Sequence, residues 1–328
     1  MADRWGKTTA LVTGAQGFIG SWLAERLLEE GAKVVVPRRD APAESRFRLH
    51  GLEERCEVVQ ADIIDYESMM RVLNEHDVNA VFHLAAQAIV TTANRSPLST
   101  WETNIRGTYT LLEACRATGH VGDPIDRIVV ASSDKAYGNH DELPYSEGFA
   151  LQPRYPYDVS KAATDMIARS YATTYRMPVA VTRLANVYGG GDYNYSRIVP
   201  DSARSLVAGK RPVIRSDGSP ERDFIYAEDA ASAYLAVAAS LDREERYGMA
   251  WNAGAGDAVS VRTIVDRLVA VSGKELEPDV QGSGTPAGEI DRQFLDSARI
   301  REELGWAPRW SLDDGLAETW RWYEEQLG

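Results

Sequence analysis

The 328-residue sequence predicts an α/β protein with a doubly wound parallel sheet and a smaller, interleaved α/β region. A short apolar strand at Thr9–Thr13 leads at once into a glycine-rich turn and an amphipathic helix at Trp22–Leu28. The segments Ala80–Ala85 and Arg127–Ala131 are apolar almost throughout, which is typical of parallel strands buried on both faces. Strands and helices alternate regularly up to Leu184 and less regularly beyond it. This alternation favours a doubly wound sheet with its ligand at the carboxyl ends of the strands.

Composition and charge disfavour several classes of function for this protein. Hydrophobic residues make up 44% of the chain, but no apolar run reaches the ~20 residues of a membrane span, and Met1–Lys7 does not resemble a signal peptide. The only cysteines, Cys56 and Cys115, favour a reducing compartment, so we expect a cytoplasmic protein. The net charge of −13 disfavours nucleic acid or an anionic membrane as a partner. No cluster of metal-ligating residues is predicted.

The glycine-rich turn has the spacing of a dinucleotide-binding site. Glycines at these positions allow a tight turn, close approach of the backbone to a pyrophosphate, and close packing of helix on strand. The helix N-terminus adds N–H donors and partial positive charge. A purely structural turn is the alternative interpretation. The residues predicted to contact the cofactor here are Gly14, Gln16, Gly17, Phe18, Ile19 and Gly20.

The second strand, Lys33–Val36, is followed by Pro37-Arg38-Arg39-Asp40. A dinucleotide fold usually places an acid here for the adenosine ribose hydroxyls. The two arginines could instead grip a 2′-phosphate, which favours NADP slightly over NAD. Asp40 could still reach the ribose, and the arginines could simply be solvated. The third strand ends at Asp62-Ile63, where we expect contacts to the adenine.

A tyrosine and a lysine four residues apart mark the predicted catalytic helix, 156–176. Tyr157 and Lys161 face the same side of this helix. The free pKa of tyrosine is ~10, and a neighbouring ammonium is expected to bring that pKa down, so that Tyr157 can remove a hydroxyl proton. The run Ser132-Ser133-Asp134-Lys135 closes the strand at 127–131 and should point into the same crevice. We interpret His83, inside the fourth strand, as a core histidine.

The remaining helices and strands are predicted from their patterns of apolar residues. We expect helices at 97–118, 197–208 and 228–240, strands at 178–184 and 212–215, and a closing amphipathic helix that contains Trp320 and Tyr323. The dinucleotide-binding domain is predicted at 1–184 with a later return near 224–250. The substrate-binding region then comprises 185–223 and 251–328. The segment 281–288 has the most flexible composition.

Taken together, the motifs resemble those of the extended short-chain dehydrogenases/reductases, of the nucleotide-sugar epimerase and dehydratase type. The resemblance covers essentially the whole chain and implies a Rossmann domain of the extended type. It rests on these stretches: Gly14-x-x-Gly17-x-x-Gly20, Asp62-Ile63, His83-Leu-Ala-Ala-Gln87, Asn104, Ser132-Ser133, Tyr157-x-x-x-Lys161, Arg183-x-x-Asn186-Val-Tyr188-Gly189, Arg222-Asp223-Phe224-Ile225 and Leu304-Gly-Trp306-x-Pro308.

The resemblance also implies roles for individual residues. Further cofactor contacts are implied for Leu84, Ala85, Ala86, Gln87 and Asn104, besides Tyr157 and Lys161. Substrate contacts are implied for Gln87, Thr91, Ser133, Asn186, Arg197 and Arg222, with Arg222 clamping the diphosphate of a nucleotide sugar. The helices from Pro97 and Pro156 resemble those through which the family forms homodimers, so we expect a symmetric homodimer.

The pair after Ser133 separates chemistries within this family. An acid and a second protic group are typical of 4,6-dehydratases, and Asp134-Lys135 resembles the CDP-glucose enzymes, as do 186–192 and 289–296. The segment at Arg222 follows the epimerase pattern instead. We expect internal redox through a tightly bound NAD or NADP, with Ser133 and Tyr157 acting at C4 and Asp134 as the acid toward C6. Lys135 would remove the C5 proton or stabilise the enolate.

Three other functions remain open at this stage. A 4-epimerase would use the same Tyr157/Lys161 pair, and Arg38-Arg39 suggests a GDP-mannose-type 4,6-dehydratase. A non-catalytic dinucleotide sensor on this fold is the third alternative. Such a sensor would have no reason to keep Ser133, Tyr157 and Lys161 in register.

Overall fold

The computed structural model describes residues 5–118, 125–284 and 290–328. The strands in these ranges are β1 (Thr9–Thr13), β2 (Lys33–Arg38), β3 (Glu57–Gln60), β4 (Ala80–His83), β5 (Arg127–Ala131), β6 (Val179–Leu184), β7 (Asn186–Tyr188), β8 (Val213–Ile214), β9 (Glu221–Arg222), β10 (Phe224–Tyr226), β11 (Ala250–Ala253), β12 (Val259–Ser260), β13 (Asp279–Val280) and β14 (Arg292–Gln293). The helices are α1 (Phe18–Glu29), α2 (Arg46–Leu49), α3 (Leu52–Arg55), α4 (Tyr66–Glu75), α5 (Val90–Arg95), α6 (Pro97–Trp101), α7 (Gly107–Thr118), α8 (Pro156–Tyr175), α9 (Ile198–Val207), α10 (Ala227–Ser240), α11 (Val261–Ser272), α12 (Ala298–Leu304) and α13 (Leu312–Leu327).

The central sheet is parallel and seven-stranded, in the order β11-β6-β5-β4-β1-β2-β3. The chain leaves β1 in one direction through β2 and β3, then returns to build the other half from β4. The strand order therefore reverses between β1 and β4, and a crevice opens there at the carboxyl ends of the strands. The predicted doubly wound α/β fold is confirmed.

Two hydrophobic clusters cover the opposite faces of this sheet. Alternate residues of β1 enter different clusters, with Val12 on one face and Leu11 on the other. Phe82 and Val81 divide in the same way on β4. Because successive side chains of a strand point to opposite faces, a strand buried on both faces must be apolar throughout. This explains the uninterrupted apolar runs in the sequence.

Several boundaries differ from the predicted ones by a few residues. Strand β3 ends at Gln60, before the expected Asp62-Ile63, and β4 ends at His83, two residues earlier than expected. After β3, the side chain of Asp62 accepts a hydrogen bond from the backbone N–H of Ile64 (3.2 Å), which forms a local turn. The predicted helix at 97–118 is present as α6 and α7 joined by a π-helical turn, Glu102–Arg106.

The smaller region contains short two- and three-stranded sheets and has a hydrophobic cluster of its own. Trp320 and Tyr323 of α13 are buried in this cluster, as predicted. Strand β11 belongs to the main sheet, so the predicted domain boundary between residues 250 and 251 falls inside a strand. Of the segment predicted to be flexible, 285–288 lies outside the described residues.

Three smaller predictions can be compared with the described residues. His83 is buried, and its ring lies 2.8 Å from Oγ1 of Thr13 and 3.0 Å from Oγ1 of Thr108, so the interpretation as a core histidine is confirmed. Cys56 and Cys115 are both free thiols. Within the described ranges, we find no helix with the length and apolar character needed to cross a membrane.

Candidate active site

A cavity of about 1190 Å³ opens at the carboxyl ends of β1, β4, β5 and β6. Most of the residues predicted to bind cofactor or substrate line it. They are Gly14, Gln16, Gly17, Phe18, Ile19, Gly20, Arg39, Asp62, Ile63, Leu84, Ala85, Ala86, Thr91, Ser133, Asp134, Lys135, Tyr157, Lys161, Asn186, Arg197 and Arg222. Arg38, Gln87 and Asn104 are not part of this wall.

The glycine turn is closely packed against the end of β4. Gly14 has a φ of +74°, and a Cβ atom placed there would lie 2.7 Å from the backbone nitrogen of Ala85. A Cβ at Gly20 would lie 2.2 Å from the carbonyl oxygen of Gly14. Neither glycine can therefore be replaced without moving the backbone. The turn brings the N-terminus of α1, which has no side-chain cap, to the cavity wall.

The wall at this turn also contains a polar group that suits a ligand. The Nε2 atom of Gln16 is buried and has no hydrogen-bond partner among the described residues. A buried donor without a partner is costly unless a ligand or water satisfies it. Together with the N–H groups of the helix N-terminus, this donor fits the pyrophosphate of a dinucleotide. The residues present are therefore compatible with such a cofactor.

The two arginines at the end of β2 are both paired with acids. Nη1 of Arg38 lies 2.5 Å from Oε1 of Glu53, and Nε of Arg39 lies 2.5 Å from Oδ2 of Asp40. Asp40 and Asp62 line the cavity beside Arg39. The two carboxylates at this end of the cavity would repel a 2′-phosphate, and they could accept hydrogen bonds from ribose hydroxyls.

Asn104 and Gln87 lie behind the cavity wall and form hydrogen bonds that support it. The side-chain oxygen of Asn104 accepts a hydrogen bond from the backbone N–H of Gln87 (2.7 Å), and its Nδ2 donates to Oγ of Ser160 (2.8 Å). The Gln87 side chain accepts a hydrogen bond from Thr100 (3.2 Å). These bonds tie the segment after β4 to the π-helical turn and to α8. In this structure the two residues support the site from outside the cavity wall.

Tyr157 and Lys161 lie on consecutive turns of α8, at the carboxyl end of β5. Nζ of Lys161 donates a hydrogen bond to the backbone carbonyl oxygen of Ala131. Burial raises the pKa of Tyr157 to about 12 and lowers the pKa of Lys161 to about 8. The cation that most opposes the rise at Tyr157 is Arg197, and a hydrogen bond with Ser133 also lowers this pKa. The pKa of Tyr157 is therefore raised and not lowered as expected, and the ammonium group of Lys161 is bound to the sheet.

Asp134 and Lys135 form the start of a short 3₁₀ turn, Asp134–Tyr137, directly after β5. Asp134 is 2% exposed, and its Oδ1 accepts a hydrogen bond from Oγ of Ser133 (2.9 Å). Its other oxygen, Oδ2, is buried without a hydrogen-bond partner in the described part of the chain. Burial raises the pKa of Asp134, although Lys135 opposes the rise. A buried carboxyl group with a raised pKa holds its proton more readily than a solvated one, which suits the role of a general acid.

Two arginines of the smaller region reach the cavity. Nη1 of Arg197 lies 2.8 Å from Oδ2 of Asp192, which fixes it at the start of α9. Arg222 donates from Nη1 to the carbonyl oxygens of Glu221 (2.8 Å) and Asp291 (3.2 Å). The carboxylate of Asp223 accepts hydrogen bonds from the backbone N–H groups of Ala255 and Gly256. The carboxylate of Asp223 is therefore hydrogen-bonded to the backbone of the loop after β11.

The cavity wall also contains residues that sequence reasoning missed. Asp158 is the most informative, because it directly follows Tyr157 and is 6% exposed. An acid next to the predicted base was a signal, but its burial depends on how α8 packs against the 3₁₀ turn. Asp40 and Ser132 line the wall as expected, whereas the other polar or aromatic wall residues were not predicted, namely Thr103, Tyr155, Tyr188, Asn194, Tyr195, Ser196, Arg215, Ser216 and Tyr234.

Comparison with known proteins places this arrangement in a family. A family model described as GDP-mannose 4,6 dehydratase matches residues 11–319. The chain is 32% identical to CDP-glucose 4,6-dehydratase of Salmonella typhimurium, over 98% of this chain and 91% of that protein. It is also 32% identical to UDP-glucose 4-epimerase of Mycolicibacterium smegmatis, over 94% of this chain and 96% of that protein.

The chain is also similar to solved structures of nucleotide-sugar dehydratases and epimerases. The dTDP-glucose 4,6-dehydratase of Streptomyces venezuelae, solved with NAD bound, has a TM-score of 0.86 and 31% identity, covering 97% of this chain and 98% of that one. The UDP-glucose 4-epimerase of Thermotoga maritima, solved with UDP-glucose, has a TM-score of 0.88 and 30% identity, covering 98% and 100%. These structures support a nicotinamide cofactor, but they give no support to the expected preference for NADP. The chain therefore belongs to the GDP-mannose 4,6 dehydratase family, among the nucleotide-sugar dehydratases and epimerases of the extended short-chain dehydrogenase/reductase type.

Proposed function

We propose that this protein is a nucleotide-sugar 4,6-dehydratase, a hydro-lyase that converts an NDP-hexose into the NDP-4-keto-6-deoxyhexose. The observation that carries the proposal is the buried carboxyl group of Asp134, which lines the same cavity as Tyr157 and Lys135. A 4-epimerase needs only the tyrosine, since it removes no hydroxyl group. An elimination needs a second acid–base set near C6, and Asp134 with Lys135 supplies one.

In the first step, Tyr157 removes the proton of the C4 hydroxyl, and Ser133 positions that hydroxyl group. A bound nicotinamide would supply the hydride chemistry, taking hydride from C4 and returning it to C6. The phenolate must form although burial raises the pKa of Tyr157 to about 12. Arg197 already favours the phenolate, and additional positive charge in the cavity would favour it further.

The elimination uses the turn after β5. A 4-ketone acidifies the proton on C5, so that this proton can be removed. Asp134 then protonates the C6 oxygen, which leaves as water. Lys135 either takes the C5 proton or stabilises the enolate. Arg222 and Arg197 hold the substrate diphosphate, since guanidinium groups bind phosphate oxygens well, and Asn186 and Thr91 contact the sugar nucleotide nearby.

We propose NAD as the cofactor. Gly14, Gly17, Gly20 and Gln16 would hold its pyrophosphate, and Asp40 or Asp62 would accept hydrogen bonds from its adenosine ribose. Arg39 lines the cavity but is paired with Asp40, which reduces the charge it could offer to a 2′-phosphate. Since the cofactor ends the cycle as it began, we expect it to remain tightly bound.

CDP-glucose is our proposed substrate. Support comes from the Asp134-Lys135 pair and from the likeness to the CDP-glucose 4,6-dehydratase of Salmonella typhimurium. Incubation of the purified protein with CDP-, dTDP-, UDP- and GDP-hexoses tests this directly. A 4-keto-6-deoxy product, detected by its absorbance in alkali, should form fastest from CDP-glucose. Interconversion of C4 epimers without loss of water would instead favour the second candidate, a 4-epimerase, which the epimerase relatives of equal identity support.

We also propose that the protein forms a symmetric homodimer through α6, α7 and α8. These helices pack side by side. They leave several large apolar side chains exposed, namely Leu98, Trp101, Tyr109, Val159 and Met166. Apolar surface concentrated on neighbouring helices is typical of a subunit interface.

A further inference from the structure

Asp158 is a buried acid that the reaction described above does not use. It lies in the first turn of α8, directly after Tyr157. It lines the same cavity as Asp134 and Lys135 and is 6% exposed. An acid in the first turn of a helix also stabilises the helix dipole. That role requires no burial, and burying a carboxylate has a free-energy cost unless a partner offsets it.

Lys135 is the cation that influences the pKa of Asp158. Helix α8 packs against the 3₁₀ turn that contains Asp134 and Lys135. Lys135 is the cation whose charge acts on Asp158, and Asp134 acts on it with the opposite sign. Lys135 also acts on Asp134, together with Arg222. The charge of one lysine thus acts on two buried carboxyl groups, and all three residues line the same cavity.

The two carboxyl groups lie in different surroundings, since Asp134 accepts a hydrogen bond from Ser133 and Asp158 lies on the first turn of α8. Burial raises the pKa of Asp158 to about 6, against the influence of Lys135. Burial also raises the pKa of Asp134, whose Oδ2 lacks a hydrogen-bond partner in the described ranges. An elimination needs one group that is ready to accept a proton and one that is ready to donate one. Neighbouring titratable groups in different environments commonly divide the base and acid roles in this way.

We propose that Asp158 is the base that removes the C5 proton, while Lys135 stabilises the enolate and Asp134 is the acid. The proposal rests on the proposed dehydratase function. After C4 is oxidised, the C5–H bond breaks, its proton moves to Asp158, and its electron pair forms the enolate. The C4 carbonyl then re-forms, the C5–C6 double bond forms and the C6–O bond breaks, with a proton from Asp134 completing the water molecule.

The remaining atoms balance without another reactant. A bound nicotinamide would return to C6 the hydride that it received from C4, and Asp158 returns its proton to C5. The proton that Tyr157 took from the C4 hydroxyl replaces the one that Asp134 gave to water. The net change is NDP-hexose to NDP-4-keto-6-deoxyhexose plus water.

The test follows exchange of the C5 hydrogen in D₂O with CDP-glucose and the intact protein. Asp158→Asn and Asp134→Asn should both accumulate reduced nicotinamide, because both leave the C4 step in place. The 4-keto sugar that stays bound to Asp134→Asn should exchange its C5 hydrogen for deuterium, since this variant still has Asp158. On Asp158→Asn, this exchange should be at least ~100-fold slower, the usual effect of losing a general base. Mass spectrometry or NMR of the released sugar measures it.

Several outcomes would overturn the proposal. Exchange on Asp158→Asn at the rate of Asp134→Asn would show that another group is the base. Loss of exchange on Lys135→Met, with exchange retained on Asp158→Asn, would assign the base to Lys135. Asp158→Ser serves as a second variant, and oxidation at C4 shows that each variant is folded. If both Asp158 variants failed to oxidise C4, Asp158 would be required for the oxidation that Tyr157 begins, and its proposed role at C5 would be wrong.

The proposed dehydratase function can be tested separately from the role of Asp158. If the wild-type protein neither reduces its nicotinamide nor releases a 4-keto-6-deoxy sugar with any of the four nucleotide hexoses, the dehydratase function is wrong and the role of Asp158 falls with it. If the wild type dehydrates and Asp158→Asn still exchanges C5, only the role of Asp158 is wrong.

Discussion

Lys161 donates a hydrogen bond from Nζ to the backbone carbonyl oxygen of Ala131, at the carboxyl end of β5. The lysine four residues after Tyr157 is therefore anchored to the sheet. Arg197, from the smaller region, is the cation that most favours the Tyr157 phenolate. The proposed base thus depends on both parts of the molecule, since helix α8 beside the main sheet supplies the phenol and the smaller region supplies the charge.

The first prediction concerns Tyr157. Tyr157→Phe should lower turnover by at least ~100-fold, because it removes the base at C4, and should leave dinucleotide content unchanged. Measuring product formation and the nucleotide released on denaturation checks both points. A variant that retains substantial activity would exclude Tyr157 as the base.

The second prediction concerns the cofactor. Chromatography of the dinucleotide released from the purified protein should identify NAD, because Asp40 and Asp62 line the cavity beside Arg39. Replacing both Arg38 and Arg39 with Gln should then leave cofactor content unchanged, since each is paired with an acid. Release of NADP alone would show that the arginines hold a 2′-phosphate after all.

The third prediction concerns assembly. Leu98 and Met166 are 66% and 55% exposed on α6 and α8. The double variant Leu98→Lys/Met166→Lys should convert a dimer into a monomer, because it places charge in an apolar interface. Leu49→Lys, an exposed apolar site on α2, is the matched control and should stay dimeric. Light scattering at micromolar concentration measures the mass, and a wild-type monomer would contradict the prediction.

The fourth prediction concerns stability and pH. The folded-state pKa of Asp158, about 6, exceeds that of an unfolded aspartate. The folded protein therefore binds this proton more tightly, and the resulting stabilisation is complete below about pH 3.9 and is lost as pH rises through 6. Asp158→Asn should thus be more stable than wild type at pH 8, by up to ~3 kcal/mol in the free energy of unfolding.

Urea denaturation at pH 8 measures this difference, with the same substitution at exposed Asp141 as the control. The Asp141 variant should match the wild type within ~0.5 kcal/mol. Equal or lower stability of Asp158→Asn at pH 8 would show that burial does not destabilise the ionised carboxylate.

The sequence predicted those features that depend on local pattern. The strand, glycine turn and helix at Thr9–Glu29 follow from periodicity and from the backbone freedom of glycine. The placement of Tyr157 and Lys161 on one side of α8 follows from the helical repeat, and both residues line the cavity.

Features that depend on packing between distant elements were not predictable. Asp158 is buried because α8 meets the 3₁₀ turn after β5, a contact with no periodic signature. Arg38 and Arg39 are adjacent in sequence, but only Arg39 lies on the cavity wall, because successive residues at a strand end point in different directions. The supporting positions of Gln87 and Asn104 likewise depend on their mutual hydrogen bonds.

The fifth prediction tests the central claim, that the turn after β5 makes this protein a dehydratase. Asp134→Asn should leave hydride transfer from C4 largely intact, because Tyr157, Lys161 and Ser133 are unchanged, but should slow the loss of water by ~10² to 10⁴. The measurement is the absorbance of reduced nicotinamide after mixing with CDP-glucose. We predict a rise that persists in Asp134→Asn and at most a transient in the wild type. Near-normal turnover of the variant without accumulation of reduced cofactor would contradict the dehydratase assignment and favour a 4-epimerase.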